Sequence, residues 1–180
     1  MTPLYLADEE WMRRAVALSR RCPPSTGAYA VGAVVVDGSG AELAYGYSRE
    51  TDPAVHAEES ALAKLAVRDP RLRTATLYST LEPCSERRSR PDPCARLVTL
   101  AGVRRVVIAW REPELFVAAC AGVAELRAAG IEVVELAGLA EAARRVNAHL
   151  LEAGPGAGSG AGPGSGPRAQ EGPGGGRVRS

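Results

Sequence analysis

The chain reads as an α/β protein: a three-layer α/β/α sandwich built on a central five-stranded mixed sheet. Two observations predict it. Residues 30–36 and 42–47 are β-prone runs separated by the turn Asp37-Gly38-Ser39-Gly40, the pattern of an antiparallel hairpin. From residue 75 onward strand and helix patterns alternate three times, which implies parallel strands joined by crossover helices.

The elements follow in order. Residues 7–21 form an amphipathic helix with Trp11, Ala15, Leu18 and Cys22 at helical spacing, Asp8 as its N-cap and Pro23-Pro24 beyond its end. The run Ala30 to Val36 is continuous, apolar and rich in β-branching, as in a strand buried on both faces. Glu42 to Tyr47 is its hairpin partner. His56 to Val67 is a helix with Ala57, Ala61 and Leu65 on one side and Pro70 past its end. Ala75 to Leu81 is a strand running into Glu82-Pro83-Cys84. A polar loop with three arginines leads to a helix over Pro93 to Ala101, closed by Gly102. Val103 to Trp110 is a strand, Val117 to Ala129 a helix, Ile131 to Leu136 a strand and Gly138 to Leu151 a last helix.

The chain has 180 residues and divides by composition. Residues 152–180 hold 11 of the 20 glycines and 4 of the 13 prolines. That segment lacks the apolar surface to offset its ordering entropy and is expected to be a disordered, solvated tail. Residues 1–151 are expected to form the folded domain, long enough to bury a core without staples.

Charge excludes several functions. The net charge is +1, and residues 1–151 hold 19 basic and 19 acidic side chains. With only 8 aromatics in the whole chain, this is not the basic, stacking surface of a nucleic-acid binder. No stretch approaches the ~18 apolar residues of a membrane span. Asp8, Glu9 and Glu10 stand where a secretory signal has basic residues. Four cysteines are too few for a disulfide scaffold, and the expected compartment is the cytoplasm. Basic residues are 21 Arg and one Lys, Lys64, which we read as codon bias rather than function.

Chemistry concentrates at two helix starts. His56-Ala57-Glu58 opens one helix; Pro83-Cys84 and Pro93-Cys94 bracket the loop before another. One imidazole and two thiolates form a donor set that suits zinc. Three protein ligands leave a fourth position for water, as in a catalytic site rather than a closed structural one. Glu58, two residues past His56, is placed to move protons between water and a substrate nitrogen without binding metal. The pattern His-x-Glu…Pro-Cys-x-x-Cys is the signature of zinc nucleobase deaminases; here the second Cys stands ten positions after the first.

On these residues the chain resembles the cytidine-deaminase superfamily, and within it the deaminase domain of the riboflavin pathway. Tyr78-Ser79-Thr80-Leu81-Glu82-Pro83-Cys84-Ser85 is similar to that family's cysteine block, and the wide, proline-containing spacing to Cys94 is similar too. Val31 to Val36 resembles its first strand, and His56 to Leu62 its first metal helix. Ala101 to Val107, Leu126 to Val133 and Val146-Asn147 resemble its later units, so the likeness covers roughly residues 9–150. It implies a cytidine-deaminase-like fold, His56, Cys84 and Cys94 as ligands of one zinc ion per chain, Glu58 as proton shuttle, and hydrolytic removal of an amine from an aminopyrimidine. The expected substrate is the diaminohydroxyphosphoribosylaminopyrimidine of riboflavin biosynthesis.

The departures fall where substrate is expected to sit. The family's Asn-Pro before the first strand is Gly27-Ala28-Tyr29-Ala30 here. The inter-cysteine loop is Glu86-Arg87-Arg88-Ser89-Arg90-Pro91-Asp92-Pro93, and Arg111-Glu112-Pro113-Glu114 stands in place of an Asp-Pro-Asn-Pro. Another base, nucleoside or nucleotide is therefore the alternative substrate, and a non-catalytic zinc scaffold a more distant alternative. Arg87, Arg88 and Arg90 are candidates to hold a substrate phosphate by bidentate hydrogen bonds, against their being a solvated loop. Trp110 and Phe116 fit core packing better than ring stacking, Cys22 and Cys120 fit small apolar fillers, and His149 fits a cap or a solvent-facing residue. The expected partner is a small molecule, with no nucleic acid and no membrane; a homo-oligomer is compatible with the family.

Overall fold

The computed structural model describes residues 3–111, 113 and 120–153. Its sheet has five strands in the order β2-β1-β3-β4-β5: β1 (Gly32–Val36), β2 (Glu42–Tyr47), β3 (Thr76–Ser79), β4 (Arg105–Ile108) and β5 (Glu132–Glu135). β1 runs antiparallel to both β2 and β3, while β3, β4 and β5 are parallel. The mixed sheet expected from the hairpin and the later alternation is present. All five residues of β1 are buried, because helices cover both its faces.

One layer holds α1 (Pro3–Ser19) and α5 (Ala140–Val146). The other holds α2 (Ala57–Leu62), α3 (Cys94–Ala101) and α4 (Gly122–Ala128). Met12, Leu18, Val34, Leu77, Ile108 and Leu126 are among the fully buried side chains between the layers. Two glycines let helices approach the sheet. A Cβ on Gly32 would stand 2.1 Å from the Ala15 carbonyl oxygen of α1, and one on Gly46 would stand 2.4 Å from the Ala57 carbonyl oxygen of α2.

Several expectations at the edges of elements are corrected. Asp8 is not an N-cap: α1 begins at Pro3, and Asp8 is buried within it. Its carboxylate accepts from the Tyr78 hydroxyl at 2.8 Å and from both Nη atoms of Arg105 at 2.8 and 2.7 Å. A tertiary ion pair thus uses an acid that local pattern assigns to a cap. α2 is half the expected length and ends in i→i+3 turns, Lys64 N–H to Ala61 and Leu65 N–H to Leu62. A 3₁₀ turn at Pro70–Arg73 follows, capped by Asp69.

The last helix is interrupted. A 3₁₀ turn at Ala137–Leu139 leads into α5, and α6 (Ala148–Ala153) begins after Asn147. The Asn147 side chain explains the break. It accepts the Ala30 N–H at 2.7 Å and donates to the carbonyls of Ala30 at 3.1 Å and Ala143 at 3.4 Å, pinning the strand entry to the helix pair. Of the tail expected from residue 152, Glu152 and Ala153 are the last residues of α6; residues 154–180, Phe116, and the first three residues of the helix expected from Val117 lie outside the described residues.

Candidate metal centre and active site

Three chain segments converge at one end of the sheet. His56 is the N-cap of α2, Cys84 lies in the loop after β3, and Cys94 is the first residue of α3. Their donor atoms all lie within 4.8 Å of one another. His56 Nδ1 is 3.5 Å from Cys84 Sγ and 3.4 Å from Cys94 Sγ. Two ligands of a tetrahedral zinc, one nitrogen and one sulfur, stand about 3.6 Å apart by the usual bond lengths. Donor chemistry and spacing therefore both fit zinc. Both cysteines are buried, and the backbone N–H of Cys94 points at Cys84 Sγ at 3.4 Å. The Cys94 thiol, then His56 and that N–H, hold Cys84 well below the usual thiol range against its burial, while Cys94, hydrogen-bonded to Cys84 and buried, is pushed up. A metal bound by both sulfurs would displace their protons.

Glu58 sits in the first turn of α2 and is buried. Burial raises its carboxyl above the ordinary range, partly opposed by the hydrogen bond from Ser79 Oγ to Oε1 at 2.7 Å. Ser79, the last residue of β3, was not singled out from sequence, although it lies within the cysteine block. Its position opposite Ala33 and Ile108 on neighbouring strands, not its local context, brings it to Glu58.

The cysteine loop is fixed from two sides. Glu82 accepts the Val123 N–H at 2.7 Å, Ser85 Oγ accepts the Ala121 N–H at 3.0 Å, and Gly122 lies so close that a Cβ would stand 1.8 Å from the Pro83 carbonyl oxygen. On the other side Glu59, also unforeseen, receives the loop's arginines. Arg87 Nη1 pairs with its Oε2 at 2.9 Å, and Arg90 Nε with its Oε1 at 3.3 Å.

A cavity of about 400 Å³ opens over the centre. His56, Glu58, Leu81, Glu82 and Cys84 line it with Gly27, Ala28, Tyr29, Val31, Ser48, Arg49, Val55, Glu86, Arg87 and Ser89. Of the three candidate phosphate-binding arginines, only Arg87 is among its lining residues, and its side chain is 3 % exposed. Arg87 Nη2 also donates to the Ala54 carbonyl at 2.6 Å. Arg90 is tied to Asp52 at 2.7 Å and to Glu59, and Arg88 is exposed. Trp110 is buried, edge-on to Tyr29 with centroids 5.9 Å apart, as core packing requires. His149 is exposed, with Nε2 3.0 Å from the Ser25 carbonyl oxygen. Cys22 and Cys120 are half-buried.

A mixed sheet carrying an imidazole, two thiols and a buried carboxylate at one end defines a zinc deaminase fold. The comparisons agree: residues 6–110 match the model of the cytidine and deoxycytidylate deaminase zinc-binding region, and the chain belongs to that family. A diaminohydroxyphosphoribosylamino-pyrimidine deaminase of Schizosaccharomyces pombe is 41 % identical over 129 residues, 71 % of this chain and 31 % of that protein. The riboflavin biosynthesis protein RibD of Bacillus amyloliquefaciens is 42 % identical over 134 residues, 70 % of this chain and 32 % of that protein. The chain thus spans about a third of the length of these relatives. Among solved structures, the Thermotoga maritima deaminase/reductase superposes with a TM-score of 0.70 at 32 % identity, covering 82 % of this chain and 41 % of that one. A dCMP deaminase from cyanophage S-TIM5 superposes with a TM-score of 0.55 at 27 % identity, covering 75 % and 99 %. Among the described residues no helix is long and apolar enough to cross a membrane.

Proposed function

We propose that the chain is a hydrolytic deaminase of an aminopyrimidine, and that its substrate is the phosphoribosylated diaminopyrimidine named for its relatives. The observation that carries this is Glu58, a buried carboxylate with a raised proton affinity lining the same cavity as His56 and Cys84, whose donor atoms cluster with that of Cys94. A purely structural zinc has no use for such a group and normally takes four protein ligands.

His56, Cys84 and Cys94 would hold one zinc ion per chain, which when bound supplies a water acidified to near neutral pH. Glu58 takes the proton that this water gives up as its oxygen bonds to the amine-bearing ring carbon. It passes that proton to the ring nitrogen, then takes the remaining hydroxyl proton and passes it to the leaving amine, so that ammonia departs and a carbonyl remains. Ser79 holds the Glu58 carboxylate in one orientation throughout. The apolar walls given by Val31, Val55 and Leu81 suit a flat ring and exclude bulk water.

The likeness to a dCMP deaminase, and a Gly27-Ala28-Tyr29 wall without an asparagine, favour a pyrimidine nucleotide as the second reading. Ammonia release from the diaminopyrimidine ribotide, cytosine, cytidine, deoxycytidylate, guanine and adenosine tests both. Turnover of the ribotide, reduced by about 10²–10⁴ in Glu58→Gln, is the expected result. Turnover of another compound alone moves the substrate and keeps the chemistry. No turnover of any, with zinc bound and no exchangeable water on it, returns the site to a scaffold.

A further inference from the structure

Apart from the metal-site Cys84 and the phenol of Tyr29, six residues lining the cavity carry, or can carry, charge: Arg49, His56, Glu58, Glu82, Glu86 and Arg87. His56 and Glu58 are committed to the reacting end. Glu82 Oε1 is taken by the Val123 N–H, Glu86 is an exposed acid, and the Arg87 charge is met by Glu59 at 2.9 Å. Arg49 differs from all of these. Among the described residues its guanidinium meets only backbone carbonyls: Nε donates to Pro23 at 3.0 Å, and Nη1 to Tyr29 at 3.0 Å and Ala28 at 3.4 Å. No carboxylate stands within ion-pair distance of it among the described residues, and its Nη2 makes no hydrogen bond among them.

The backbone reinforces this placement. Arg49 adopts φ 63°, a left-handed conformation that arginine seldom takes, and its N–H bonds to the Val55 carbonyl at 2.9 Å, one residue before His56. The chain thus presents a half-buried cation at a fixed distance from the metal-binding helix. Carbonyl contacts orient a guanidinium without neutralising it, and a charge removed from water calls for a counter-ion. The planar fork suits a phosphate, which it can meet with two parallel hydrogen bonds.

We infer that Arg49, rather than the arginines of the inter-cysteine loop, recognises the anionic end of the substrate, a phosphate monoester on the sugar of the aminopyrimidine. The inference rests on the reading of the site as an aminopyrimidine deaminase. Arg87 and Arg90, neutralised by Glu59 and Asp52, instead hold the loop that carries Cys84 and Cys94.

The test uses full-length, zinc-loaded protein as wild type, Arg49→Gln and Arg49→Lys. Two quantities are read: the ratio of kcat/KM for the phosphoribosyl aminopyrimidine to that for its phosphate-free ribosyl counterpart, and the calorimetric Kd for ribose 5-phosphate. Arg49→Gln is expected to lower the ratio about 10- to 100-fold, mainly through KM, and to weaken ribose 5-phosphate by a similar factor. Arg49→Lys is expected to recover part of both. An unchanged ratio with an unchanged Kd in Arg49→Gln overturns the proposal, as does a wild type with no phosphate preference and no affinity for ribose 5-phosphate. Should Arg49→Gln fail to fold, Arg49→Lys decides: it keeps the charge but loses the fork, so a ratio at least about threefold below wild type supports the inference and an unchanged one overturns it. A wild type that deaminates neither pyrimidine yet binds ribose 5-phosphate through Arg49 removes the proposed substrate and leaves the anion site standing. Phosphate-blind turnover does the reverse.

Discussion

Substituting Gly46 by alanine tests the link between the sheet and the chemistry. Gly46 lies in β2 beneath α2, the helix that carries His56 at its cap and Glu58 in its first turn. An added Cβ would stand 2.4 Å from the Ala57 carbonyl oxygen, 2.5 Å from the Ala61 nitrogen and 2.8 Å from the Ser60 Cβ. Ordinary contact begins at about 3.4 Å, so α2 must retreat by about 1 Å. The first two atoms are backbone, and no side-chain rotation relieves them. Overpacking of this kind costs about 1–3 kcal/mol of stability. Misplacing catalytic groups by about 1 Å costs roughly 100-fold in rate, about 2.7 kcal/mol in barrier. Urea unfolding of the zinc-loaded protein and ammonia release would be measured on wild type and Gly46→Ala. The expected result is a lower midpoint at unchanged slope, with kcat/KM down about 100-fold. A variant as stable and as active as wild type would refute the claim that this close approach sets the position of Glu58.

Three further outcomes follow from the same structure. Asn147→Ala leaves the buried N–H and carbonyl of Ala30 without their partner and should destabilise the protein by about 2–4 kcal/mol, read as a fall in the urea midpoint. Removing zinc with a chelator should abolish activity and lower Tm, and restoring it to about 1,000 times its Kd should return about 4 kcal/mol of stability; Cys94→Ser should lose most of that response. Asp69 is held at about 2 by the Arg71 guanidinium, below its unfolded value near 3.9. Its contribution is therefore present above pH ~3.9 and lost as pH falls through about 2. The difference in unfolding midpoint between wild type and Asp69→Asn should be full at pH 7 and shrink across that window.

Much of the site was legible because its residues sit in short local patterns. His56 and Glu58 are two apart, Cys84 and Cys94 each follow a proline, and each piece lies next to a recognisable helix or strand. Residues acting through long-range contacts were not. Ser79 reaches Glu58 across 21 positions, Asn147 reaches Ala30 across 117, and Asp8 reaches Arg105 across 97. Asp8 shows the failure plainly: as an acid near the start of an amphipathic run it looks like a cap, and only the sheet behind it supplies Tyr78 and Arg105. The loop arginines show another side of it. Their place beside a metal ligand made Arg87, Arg88 and Arg90 candidates to hold a phosphate, against a solvated loop, but Asp52 and Glu59, far off in sequence, already pair with two of them.

The order of strands and helices, the mixed sheet and the zinc donor set follow from the sequence alone, because periodicity, turn residues and ligand spacing are local properties of the chain. Which cavity cation has no carboxylate beside it among the described residues, which hydroxyl bonds to Glu58 and how closely α2 lies on β2 were decided only in the folded molecule. These depend on distances between segments that pattern does not encode, set by packing and by the pairing of buried polar groups.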